Sequence, residues 1–160
     1  MKKIAFLFLA ALISSFVASA QTVLTNTGFD KVSRHMSYSQ VPKQVAGVYD
    51  KITWKEDIPK EAFFDTKCTG TAYLNGVKQF EASTSKGRLK DNPQISSLTF
   101  FTDRFSISID GHTLKVGMPL DKVKAVPGLK PTWDKKEYFT KHVYFKITDG
   151  KIAAIALRNY

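Results

Sequence analysis

The stretch that decides the fold is HVYFKITDGKIAAIAL, residues 142–157. Val143, Phe145 and Ile147 alternate with Tyr144, Lys146 and Thr148, the two-residue period of a strand with one face buried. Asp149-Gly150 follows, a pair that accepts the left-handed backbone of a tight hairpin turn. Lys151 to Leu157 would suit a helix by its alanines alone. The preceding alternation and the Asp-Gly pair instead make it the returning strand of a hairpin.

Working backwards, the same grammar recurs. Asn75-Gly76 separates Thr69 to Leu74 from Val77 to Ser83, and Asp110-Gly111 separates Arg104–Asp110 from a short strand at His112 to Val116. Phe105, Ile107 and Ile109 share one face, with Ser106 and Ser108 on the other. Ile95 to Phe101 is a further strand, and strand character begins at Phe63. Between these lie a charged loop, Lys86 to Asn92, and a short helix, Leu120 to Val126. Pro119 suits the helix start and Pro127-Gly128 stops it. Two turns of helix do not hold themselves, so this one must dock on the sheet.

Earlier residues carry weaker signals. Val41, Val45, Val48 and Ile52 fall at helical spacing with Pro42 in the first turn, while Val48, Asp50, Ile52 and Trp54 alternate. A helix passing into a strand is the reading. Residues 21–40 are polar and without period, an arm or irregular edge. The expected core is Phe105, Ile107, Ile109, Leu120, Val123, Val143, Phe145, Ile147, Ile155 and Leu157.

Residues 1–20 have the form of a secretory signal. Lys2 and Lys3 precede an apolar run, Ile4 to Val17, and Ala18-Ser19-Ala20 is a small-x-small cleavage site. Its run is shorter than a bilayer span, and no second run reaches that length. The expectation is an exported chain beginning at Gln21, periplasmic or secreted and not lipid-anchored, with no transmembrane segment. The organisation is a signal at 1–20, an arm at 21–40 and one domain at 41–160, monomeric or weakly associated.

Charge is uneven. Residues 21–111 carry 12 basic and 10 acidic groups, residues 112–160 carry 10 basic and 4 acidic. A basic half draws anionic surfaces and partners. Nine of those ten cations are lysine, whereas phosphate recognition prefers arginine. With export, this argues against nucleic acid.

Catalytic signatures are absent from the sequence. His35, His112 and His142 lack zinc-ligand spacing, so no metal site is assigned. No Gly-x-Ser-x-Gly elbow and no glycine-rich phosphate loop occurs, so no cofactor is expected. Glu56-Asp57 are adjacent, whereas paired catalytic carboxylates come from separate elements. Cys68 is the single cysteine and reads as a small buried hydrophobe.

Residues 107–157 run strand, Val116-Gly117-Met118, short helix with Asp121 and Val123, loop, strand, then Asp149-Gly150-Lys151-Ile152-x-x-Ile155. This order resembles a module of bacterial exported proteins, that of the outer-membrane assembly lipoprotein BamE and of beta-lactamase-inhibitor-like (BLIP-like) domains. The resemblance implies an α+β fold, an antiparallel sheet with one or two short helices packed on it, and a non-enzymatic role through protein contacts. Pro119 and Lys122 stand where the family pattern has the two halves of a capping box. No cysteine is placed for lipidation, so a role in outer-membrane assembly does not carry over.

The function expected is an exported interaction domain of a bacterial envelope, not an enzyme. Its partner would be another envelope protein or an anionic envelope component. The binding residues expected are Trp133, Tyr138, Tyr144, Lys135 and Lys136, aromatic and basic groups in and after the loop 129–141. The competing reading is a small secreted hydrolase assembled from distant strands around His112 or Cys68.

Overall fold

A computed structural model describes residues 21–59 and 65–158; the expected signal at 1–20 and the expected onset of strand character at Phe63 lie outside them. In chain order the elements are β1 (Thr22–Leu24), β2 (Gly28–Phe29), β3 (Val32–Ser33), α1 (Val41–Val45) and β4 (Lys51–Asp57). Then come β5 (Lys67–Leu74), β6 (Val77–Thr84), β7 (Ile95–Phe100), β8 (Phe105–Ile109), β9 (His112–Lys115) and α2 (Leu120–Lys124). The last are β10 (Lys130–Pro131), β11 (Glu137–Phe139), β12 (Val143–Thr148) and β13 (Lys151–Arg158).

The strands form two sheets. The larger is antiparallel throughout, in the order β10-β11-β12-β13-β7-β6-β5-β4. The smaller has the order β3-β2-β1-β8-β9, and β1 runs parallel to β8. The expected α+β, BLIP- or BamE-like class is therefore corrected: the protein is mostly β. Both helices form where proline and spacing put them, but each has five residues. Ala46 leaves the helical conformation before Gly47 (φ 79°), and Pro127-Gly128 (φ 79°) follows the other. Neither makes a layer.

Residues 21–40 are also corrected. Instead of an arm, they contribute three strands of the smaller sheet and carry Leu24, Phe29 and Val32 into the core. Phe29 sets its edge against three rings, Phe80, Phe100 and Phe105, at centroid distances of 5.0, 5.4 and 5.5 Å. The first two belong to the larger sheet and the third to the smaller, so this cluster joins the sheets.

Three hairpins turn where expected. Asn75-Gly76, Asp110-Gly111 and Asp149-Gly150 all have positive φ, and the flanking residues pair as Leu74↔Val77, Ile109↔His112 and Thr148↔Lys151. A mirror-image turn matches the twist of the strands, which is why these dipeptides close them. Of the expected core, Phe105, Ile107, Val123, Val143, Phe145, Ile155 and Leu157 are buried; Ile109, Leu120 and Ile147 pack against them.

The helix α2 has no side-chain cap, as Pro119 and Lys122 imply. Its Leu120 N–H donates instead to the Gly150 carbonyl at 2.8 Å, while Gly117 and Ile152 N–H groups bond to Ile152 and Met118 carbonyls. The turn of the last hairpin thus holds the helix start.

Candidate functional site

Strands β10 and β11 form the hairpin at one end of the larger sheet, with Lys130 opposite Phe139 and Pro131 opposite Tyr138. Their connection, residues 132–136, is braced from within. The Thr132 N–H donates to the Glu137 carbonyl at 2.8 Å, and the Lys135 N–H to the Thr132 carbonyl at 2.9 Å. The Glu137 N–H reaches Thr132 Oγ1 at 3.1 Å, and that hydroxyl donates to Asp134 Oδ1 at 2.7 Å. Asp134 Oδ1 also accepts the Lys136 N–H at 3.1 Å. Lys135 takes a left-handed φ of 55°, which closes the turn.

Trp133 sits on this frame 95% exposed. Because the hydrogen bonds use the backbone and the Thr132 and Asp134 side chains, the indole is left outward. Lys135 and Lys136 are exposed on the same turn, Lys146 lines the same surface depression as the indole, and Lys130 and Lys141 are exposed further along the hairpin. The Asp134 carboxyl is held below the usual carboxylate range, first by the Thr132 hydroxyl and then by the Lys136 N–H. Glu137 contacts Arg158 at 3.4 Å. Local acids are thus engaged, and the lysines set the sign of the field.

Of the expected binding residues, the structure brings Trp133, Lys135 and Lys136 together at this turn. It does not bring the two tyrosines there, and that part of the expectation is corrected. Tyr138 pairs with Phe145 across β11 and β12 and shares its inward face, 7% exposed in the core. Tyr144 points to the other face but is equally covered. Phe139 stacks on it at 5.6 Å with an interplanar angle of 14°, and the Arg158 guanidinium lies 4.8 Å from its ring centre.

The outer face of the larger sheet holds a second feature. An open groove of about 550 Å³ crosses β4, β5 and β6, lined by Thr53, Lys55, Thr69, Thr71, Tyr73 and Glu81 among others. These residues occupy the outward positions of strands whose alternate residues are buried on β5 and β6 and partly buried on β4. That alternation is the signal by which the sequence could have shown them.

The groups named for a hydrolase stay apart. Cys68 is buried on β5, its thiol donating to the Gly87 carbonyl at 3.2 Å, and burial pushes its pKa up. His112 is exposed on β9 of the other sheet. Glu56 is partly buried and accepts the Leu89 N–H at 2.6 Å, while Asp57 is exposed on the opposite face of β4. Among the described residues, no three His, Cys, Asp or Glu side chains group as metal ligands, and no helix is long and apolar enough to cross a membrane. No protein-family model, curated protein or solved structure matches the chain.

Proposed function

We propose that this protein is exported from a bacterial cell and acts there as a non-catalytic binding domain, holding an anionic envelope component at the Trp133 turn. One observation carries the reading: an indole that is 95% exposed on a turn fixed by its own hydrogen bonds. Leaving a tryptophan in water forgoes the burial that would stabilise the fold, and binding recovers it. A turn that is already ordered loses little entropy when it docks, so more of the contact appears as affinity. Tryptophan is among the residues that dominate interface energetics. The lysines supply long-range attraction to an anionic partner and a response to salt.

The experiment is co-sedimentation of the purified protein with envelope fragments of its own cell, across a salt series. Wild type should sediment at low salt and be released as salt rises. Trp133→Ala should weaken retention by tenfold or more, and Lys135→Glu with Lys136→Glu should weaken it most at low salt. Equal retention of wild type and both variants would overturn the reading.

A further inference from the structure

The larger sheet ends at β4. Among the described residues this seven-residue strand pairs with β5 alone, so its other side presents unpaired backbone N–H and C=O groups. Such an edge is a template for another strand. We propose that β4 is the contact strand of a weak symmetric dimer, in which two copies pair antiparallel about Trp54.

The sequence of the strand selects this occupant and this register. A two-fold contact sets each residue opposite one partner, with residue numbers of constant sum. In an antiparallel ladder, alternate residues turn their backbone groups to the free edge. Only residues of that one parity can bond across the joint, so the axis must pass through a residue and not between two. The same condition keeps the buried faces of both copies on one side.

Few centred registers remain, and charge separates them. An axis through Thr53 puts Lys51 opposite Lys55. One through Lys55 puts that lysine opposite itself, and one through Glu56 does the same with a carboxylate. The axis through Trp54 overlaps all seven residues and puts Lys51 opposite Asp57 at both ends. Read backwards, the strand meets its own opposite charges at its ends. Both side chains are exposed, and neither forms an ion pair with another described residue. Opposite charges facing across strands stabilise a pair, and like charges weaken it.

Trp54 stands at the centre of this register, on the inward side of β4. It is partly buried and packs edge-to-face on Tyr38 at 5.1 Å. Its indole lies over Gly70 of β5, on the side away from the free edge, so the joint is made by backbone groups along the edge and its register is selected by the charged ends. The interface is one strand wide, which belongs to the transient class of contacts.

Sedimentation velocity of the purified protein between about 10 µM and 1 mM tests this, with a dissociation constant expected on the order of 100 µM. Lys51→Asp alone, or Asp57→Lys alone, should weaken association about tenfold, since each change sets like charges at both ends. The double reversal restores the opposite-charge pattern and should recover the wild-type constant. Thermal melts of all variants establish that they are folded, because these positions are solvated. A wild type that stays monomeric to 1 mM would overturn the proposal. So would a dimer whose constant ignores the single reversals, or single-variant losses that the double reversal fails to recover.

Discussion

The indole of Trp54 occupies the space that Gly70 leaves by having no side chain. The two residues face each other across β4 and β5, and a Cβ built on Gly70 would lie 2.6 Å from Trp54 Cε2. A glycine inside a strand is costly to order. Here an aromatic partner covers it, which offsets part of that cost.

Gly70→Ala should therefore displace the indole and strain its contact with Tyr38. A loss of about 1–3 kcal/mol is expected, as for an overpacked core site. Urea denaturation gives the magnitude, and a change in the near-ultraviolet circular dichroism of the tryptophan shows the displacement. An unchanged spectrum and midpoint would show that the ring does not rest on Gly70.

Phe145 is fully buried, central on β12 and opposite Ile155 on β13. Phe145→Ala should cost roughly 3–5 kcal/mol in a denaturant titration. Tyr144→Ala, one residue along on the outer face, removes a ring held by Phe139 and Arg158 and should cost less. The reverse order would mean that the two faces of β12 are interchanged.

Trp133→Ala should leave the unfolding free energy within about 0.5 kcal/mol of wild type, because the indole makes no core contact. Thermal melts beside the sedimentation assay separate a lost contact from a lost fold. A variant that melts far below wild type would place the indole in the core.

The Asp134 carboxyl carries a pH response. Its folded pKa is depressed, so the turn gains stability above the unfolded value of about 3.9 and loses it as pH falls through the folded value. Thr132→Val removes the largest cause, the hydroxyl donor, and should move the carboxyl titration upward toward the unfolded value. Carbon-detected NMR titration of Asp134 in both proteins measures this. Identical titrations would show that the hydroxyl does not hold the carboxylate.

The legible parts of this fold were those written in adjacent residues. Asn75-Gly76, Asp110-Gly111 and Asp149-Gly150 announce hairpins because the backbone they require is local. The alternation of Val143, Phe145 and Ile147 announces the buried face of β12. The strands β1 to β3 are two or three residues long and carry no period to read. β2 pairs with its neighbours β1 and β3, but the sheet is completed only where β1 meets β8, far along the chain. The fold class was lost there: without the smaller sheet, two short helices look like a layer.

The candidate site was half legible for a similar reason. Trp133 among lysines stands out in any reading. Tyr138 looks like its neighbour when residues 129–141 are read as a loop. Once β11 is recognised, its register against Phe145 turns Tyr138 inward. A three-residue strand does not declare its parity until its partner is known.

The parallel pairing of β1 with β8 has a consequence for the order of folding. Thr22 pairs with Phe105, Val23 with Ser106 and Leu24 with Ile107. Closing that loop costs roughly 2–3 kcal/mol more chain entropy than closing a two-residue hairpin. The hairpins of the larger sheet can therefore form as soon as their own residues are together, while the first strand waits for the eighth. In a chain released from its N-terminus onward, β1 emerges well before β8 and is among the last strands to find its place. Folding should be slow, as it is for proteins ruled by distant contacts. Until it is complete, Leu24 and Phe29 remain exposed to any chaperone that meets the chain.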